Sequence, residues 1–194
     1  MQHFIKAVTT ELNECLPVRT EFNTRLDLPA LHNLLEASAH EVAVSIDLQC
    51  VNNPAVALSV DLPLCRLMLV KLFSTFHRAG GVDQSRPVRI SLAAEVMQPS
   101  AGLRLSFELP EADFSALPDI LTGPVAREIP QPCADLLVAM FACLHHGGSL
   151  ESGASAGQGR IELCLPGDPA LARVAPASPD WHENLLLSFE PDIY

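Results

Sequence analysis

Basic side chains are scarce in this chain. Lysine and arginine number 12 against 23 aspartates and glutamates in 194 residues, a formal charge of −11 with histidine neutral. Such a surface repels a polyanion at long range and has little with which to neutralise its phosphates, so DNA and RNA are not expected partners. The six cysteines, at 15, 50, 65, 133, 143 and 164, form no Cys-x-x-Cys pair, which removes the common zinc and dithiol spacings. Five sit inside apolar runs, where cysteine behaves as a small hydrophobe; they are expected to be reduced core thiols of a cytoplasmic protein. No stretch approaches eighteen uninterrupted apolar residues, and the first sixteen residues carry Glu11 and Glu14, so neither a membrane span nor a signal peptide is expected. There is no internal repeat, no nucleophile-elbow motif and no pair of carboxylates on a shared helical face suited to acid–base work.

What the chain does have is apolar content, 48% of residues, enough for one domain with a substantial core. Phe4, Ile5, Val8, Leu12 and Leu16 fall at helical spacing up to Pro17. Asp27 and Pro29 predict a second helix in the N-cap and first-turn manner, running to about His40 with Leu31, Leu34, Leu35 and Ala39 on one stripe. Residues 42–50, VAVSIDLQC, alternate like a strand and end in a turn signal. DLPLCRLMLVKLFSTFHRAGG is the strongest helix: Asp61 caps it, Pro63 lies in its first turn and Gly80-Gly81 end it. Cys65, Met68, Leu69, Leu72 and Phe76 give it a wide apolar face. PVRISLAAEV and GLRLSFEL predict an antiparallel hairpin. Prolines at 110, 118, 124, 130 and 132 leave the next stretch as a loop, with a turn of helix around 114–121. CADLLVAMFACLHH predicts a third helix ended by Gly147-Gly148, and GSLES with GRIELCLP a closing hairpin. The order predicts an α/β (α+β) two-layer sandwich, a mixed sheet with helices packed on one face. Its parts are an N-terminal helix and link (1–25), the main domain (26–167) and a C-terminal tail (168–194).

Residues 26–166 resemble the ATPase domain of sensor histidine kinases, the Bergerat-type fold shared with gyrase. DLPLCRLMLVKLFSTFHRAGG resembles the family's Asp-Pro-x-Arg-Leu…Asn-Leu-Leu-x-Asn-Ala helix without a gap. LHHGGSLESGASAGQGRIELCLP resembles its His-Gly-Gly…Gly-x-Gly…Leu-Pro ending.

The departures from that pattern fall on the nucleotide site. The family's two helix asparagines, the second of which helps hold magnesium, are Lys71 and Thr75 here. Threonine offers a short hydroxyl on a stiff χ1 where a longer amide oxygen is needed. The family's Asp-x-Gly-x-Gly becomes Leu109-Pro110-Glu111-Ala112-Asp113. Leu109 cannot accept a bond from the adenine amino group, and side chains at the glycine places, Glu111 and Asp113, would crowd the base. Counting back from Gly147 puts Gln131-Pro132-Cys133-Ala134-Asp135-Leu136 on the family's Gly-x-Gly-Leu-Gly-Leu. Cys133 and Asp135 thus stand where glycines would turn N–H groups toward phosphate, and Asp135 adds negative charge there. Each lost charge-assisted contact is worth about 1.5 to 3 kcal/mol, so three losses remove roughly 5 to 9 kcal/mol, about the whole of a micromolar site.

The expected protein is therefore a non-catalytic pseudo-ATPase domain, with no cofactor, no metal and no ATP binding. It would act by protein–protein contact in two-component or phosphorelay signalling, with a response regulator or sensor kinase as partner and with homodimerisation left open. Within the proline-rich segment, Phe114, Leu117, Ile120 and Leu121 recur at near-helical spacing as a candidate partner-binding ridge; equally, they could fold inward and fill the vacated pocket. The alternative is a histidine phosphotransferase or a residual kinase fragment of a hybrid sensor. His3 and His32 are the phosphoacceptor candidates in that case, although only about twenty-five residues precede the resemblance, too few for a helical hairpin. Adjacent His145 and His146 point to different helix faces with no third ligand nearby. Lys71 is expected to lay its stem over apolar neighbours with its ammonium in water, which makes Lys71→Met a tolerated change.

Overall fold

The computed structural model describes residues 24–51, 57–80, 87–96, 101–109, 131–155 and 158–168. The predicted first helix, the proline-rich segment with Glu111, Asp113, Phe114, Leu117, Ile120 and Leu121, and all but the start of the tail lie outside the described residues. Along the described chain the elements are β1 (Thr24–Leu26), α1 (Leu28–Glu41), β2 (Ile46–Val51), β3 (Leu58–Val60), α2 (Leu62–Gly80), β4 (Val88–Val96), β5 (Ala101–Leu109), α3 (Gln131–His145), β6 (Ser149–Ser155) and β7 (Gln158–Pro166). This is the predicted mixed sheet with helices on one face.

Helix α1 starts where its sequence indicates. The Asp27 carboxylate accepts the Ala30 N–H at 2.9 Å, and Pro29 sits in the first turn. Its end shortens the strand expected over 42–50. The Val42 and Val44 N–H groups donate to the Ala39 carbonyl, and Ala43 adopts a left-handed φ of 58°, so the chain is still closing the helix where the alternation suggested extension. Strand β2 begins only at Ile46. The reversal rests on a non-glycine residue in a conformation that costs roughly 1–2 kcal/mol.

Five strands form one sheet in the order β2-β4-β5-β7-β6. Strand β2 pairs with β4 in parallel, and every other pair is antiparallel. Both predicted hairpins are present. Strands β1 and β3, three residues each and too short for alternation to register, form a separate antiparallel ribbon. It is tied to the end of β7 by the Ser59 N–H donating to the Gly167 carbonyl at 2.9 Å.

The helices cover one face of the sheet. Val88, Ile90 and Leu92 of β4, Leu103, Leu105 and Phe107 of β5, and Ile161, Leu163 and Leu165 of β7 are buried beneath them. The alternate residues of the same strands carry charge on the opposite face, where Arg160 lies 2.6 Å and Arg104 3.7 Å from the Glu162 carboxylate. Helix α2 is the centre of the layer. It packs against α1 on one side and α3 on the other, and Leu64, Cys65, Met68, Leu69, Leu72, Phe73 and Phe76 are all buried. Phe73, Phe76 and Phe107 meet with ring centroids 5.5–6.1 Å apart, a spacing at which aromatic pairs add to simple burial.

Candidate functional site

The resemblance places nucleotide chemistry along the seam between α2 and the start of α3, and that seam holds an ionic cluster. Lys71, Ser74 and Arg78 lie at i, i+3 and i+7, one line down the side of α2. Across from them is Asp135 of α3. The Lys71 ammonium is 3.3 Å from Asp135 Oδ1; the Ser74 hydroxyl donates to Oδ2 at 2.9 Å; the Arg78 guanidinium is 3.3 Å from the same oxygen. The Asp135 side chain is only 3% exposed, Lys71 17% and Arg78 47%, so the cluster is deep at the carboxylate and wet at the arginine. A buried carboxylate persists ionised only with such partners.

Lys71 is thus not the water-reaching lysine that its sequence context suggests. Its ammonium is held inward by a carboxylate 64 positions away, which no helical periodicity reveals, and Lys71→Met is no longer expected to be neutral. Thr75 is fully buried and its hydroxyl donates back to the Lys71 carbonyl at 2.9 Å, so that oxygen serves the helix backbone. Leu109 ends β5 opposite Gly159 of β7. Cys133 lies in the first turn of α3. Of the sequence-predicted positions the fold brings Lys71 and Asp135 into contact and keeps Thr75 beside them on α2. Ser74 and Arg78 were missed; their spacing from Lys71 was the available signal.

The other end of the same helix pair holds one acidic side chain and two histidines. Asp61, buried, caps α2 by accepting the Leu64 N–H at 3.1 Å. Beside it, at the end of α3, His145 and His146 are both buried, their rings edge-on with centroids 6.5 Å apart. The two histidines therefore do not divide between core and solvent. Burial, with a smaller push from His146, lowers the pKa of His145 to about 4. Burial also lowers that of His146, against hydrogen bonding to the Ala142 backbone and the nearby Asp61. The His146 Nδ1 lies 2.7 Å from the Ala142 carbonyl, an acceptor, which fixes the proton on that nitrogen. Both rings are neutral at pH 7. Among the described residues no three of His, Cys, Asp and Glu are grouped to hold a metal ion.

The glycines after α3 are structural. The Gly148 N–H donates to the Cys143 carbonyl and the Gly147 N–H to that of Leu144, with Gly147 at φ 68°, the paired bonds of a Schellman cap. A Cβ on Gly148 would come within 2.3 Å of the Cys164 carbonyl oxygen, so the loop is pressed against β7. Of the described cysteines, Cys65 and Cys143 are buried thiols, and burial, aided by Asp61, pushes Cys65 up to about 12. Cys50, expected in the core, is exposed on the edge strand β2.

No protein-family model matches the chain, and no curated protein matches it. Solved structures do. The Acinetobacter baumannii histidine kinase AdeS superposes with a TM-score of 0.51 at 13% identity, over 84% of this chain and 75% of that one. Two nucleotide-free forms of the catalytic domain of histidine kinase ThkA superpose with TM-scores of 0.51 and 0.50 at 14% and 13% identity, over 75% of this chain and 98% and 96% of theirs. The fold is that of a histidine-kinase catalytic domain, the ATPase-like architecture that the helix and hairpin motifs resemble. No helix among the described residues is long and apolar enough to cross a membrane.

Proposed function

We propose that this chain is a non-catalytic relative of the histidine-kinase ATPase fold that has given up adenine nucleotide and works by protein contact in two-component signalling. The observation that carries the reading is Asp135. A carboxylate stands at the position that the resemblance assigns to the phosphate-binding turn, and it engages both cations that α2 offers there. An incoming phosphate would meet like charge and find Lys71 and Arg78 already engaged by a carboxylate. Leu109, at the adenine-contacting place, and Thr75, at the magnesium-ligand place, weigh in the same direction. With catalysis set aside, fold and surface are what a partner can read, and a response regulator or sensor kinase is the partner class that the kinase-like architecture suits.

Calorimetric titration of the intact chain with ATP and magnesium tests the first half: no saturable heat is expected. A dissociation constant below about a millimolar, near −4 kcal/mol, would overturn the reading, as would transfer of label from γ-labelled ATP to the chain.

A further inference from the structure

The five-stranded sheet ends on two unlike edges. Strand β6 is blunted by exposed Glu151 and loosened by Gly153, both of which discourage a further strand. Strand β2, Ile-Asp-Leu-Gln-Cys-Val, carries no lysine, proline or glycine and pairs with β4 without a bulge from Ile46 to Val51. Among the described residues no strand lies on its outer side. Asp47, Gln49, Cys50 and Val51 are exposed, whereas Ile46 and Leu48 are partly buried against the core.

The Val88 N–H donates to the Ser45 carbonyl, and a parallel ladder uses every second residue of a strand on each side. Asp47, Gln49 and Val51 therefore turn their backbone groups toward β4, while Ile46, Leu48 and Cys50 turn theirs outward. Such a row is a template for another strand, and its sequence suits a second copy of itself. In an antiparallel pairing about a two-fold axis at Leu48, Leu48 meets its counterpart and Ile46 meets Cys50. These are the outward residues, so each exchanges both backbone bonds with its opposite number. Asp47 meets Gln49, an acceptor carboxylate against a donor amide, and no like charges face each other. Apolar side chains stay on the core face and polar ones on the other, so the alternation continues across the axis. Moving the axis to Gln49 would leave Ile46 without a partner in the strand and set Asp47 against Val51.

We propose that β2 is a homodimer interface, pairing antiparallel with β2 of a second copy of this chain and joining the two sheets into one. The contact is isologous, centred on Leu48, and independent of whether nucleotide binds. With a formal charge of −11 on each copy, long-range repulsion opposes it and salt relieves that repulsion, so association tightens with added sodium chloride.

The test is sedimentation equilibrium of the intact chain at low and high sodium chloride, at up to about a millimolar subunit, with reductant present so that exposed Cys50 cannot crosslink the copies. The wild type is expected to show a reversible monomer–dimer equilibrium that is tighter in high salt. Cys50→Pro removes an outward N–H while sparing the ladder to β4; it should abolish the dimer and leave the thermal midpoint of the monomer little changed. Gln49→Asp sets carboxylate against the Asp47 carboxylate of the other copy and should weaken the dimer about fivefold, whereas Gln49→Lys should tighten it by about the same factor. The two Gln49 variants decide the matter if Cys50→Pro fails to fold. A wild type that stays monomeric throughout overturns the proposal, as does a dimer indifferent to both Gln49 changes or one that survives in a folded Cys50→Pro. ATP binding by the wild type would overturn the proposed function instead and leaves this interface to be judged by the sedimentation comparison.

Discussion

Helices α2 and α3 run antiparallel, and their two ends are joined by opposite means. At one end Asp135 is held by Lys71, Ser74 and Arg78. At the other, Asp61 caps α2 beside two buried neutral histidines. The first end is stabilised by charge and is therefore sensitive to losing a partner. The second buries two histidines in their neutral form and is therefore sensitive to their gaining a proton. One helix pair thus has two distinct failure modes, one at each end of the same seam.

The largest effect is expected at the histidine end on acidification. With its pKa lowered from 6.5 to about 4 in the fold, His145 stays neutral where the unfolded chain takes up a proton. Stability is therefore full above pH 6.5 and falls as pH drops from 6.5 toward 4, then levels off. That gap corresponds to about 3 kcal/mol, and His146, shifted the same way by burial, adds to it. Denaturant titrations at pH 7 and 4.5 should show this loss shrinking by about 2 kcal/mol in His145→Gln. An unchanged pH dependence in that variant would show that His145 charges freely in the fold.

These two ends were unequally legible in the sequence, and so was the rest of the molecule. Local chemistry announced itself: Asp27 and Asp61 as caps, Pro29 and Pro63 in first turns, the glycine pair after His146, and the apolar face of α2. Hairpin partners close in sequence, β4 with β5 and β6 with β7, were legible for the same reason. The start of β2 was misread because Val42, Ala43 and Val44 continue an alternating pattern while the backbone turns through a left-handed alanine. The ionic cluster was invisible because it depends on how α3 registers against α2, and nothing local to Lys71 or Asp135 fixes that. The burial of both histidines has the same origin: a helix end has no outward side where a neighbouring cap covers it.

A smaller effect, at the charged end, is expected for Lys71→Met. The change leaves Asp135, 3% exposed, with Ser74 and Arg78 alone. Removing one partner of a buried pair costs about 3–5 kcal/mol; because Lys71 retains 17% exposure, about 2 kcal/mol is expected at pH 7, read as a shift in denaturant midpoint with unchanged slope. Adding Asp135→Leu to Lys71→Met should recover most of the loss, since an apolar pair of similar volume carries no stranded charge. A double variant no more stable than Lys71→Met would mean that the single change acts through packing and not through Asp135.

Arg78→Gln is expected to have the smallest effect, and it separates the two cations of one cluster. Arg78 approaches the same carboxylate at the same 3.3 Å as Lys71, yet it is 47% exposed against 17%. Water already solvates much of the guanidinium, so its attraction to Asp135 is screened and its removal should cost only about 0.5–1 kcal/mol. Salt distinguishes the pair further. At 1 M sodium chloride the screening length falls to about 3 Å, so the deficit of Arg78→Gln should nearly vanish, whereas that of Lys71→Met should persist, because ions cannot enter beside a buried carboxylate. Equal salt sensitivity of the two variants would mean that Lys71 and Arg78 meet Asp135 in the same dielectric surroundings, and the division of the cluster into a dry inner contact and a wet rim would have to be abandoned.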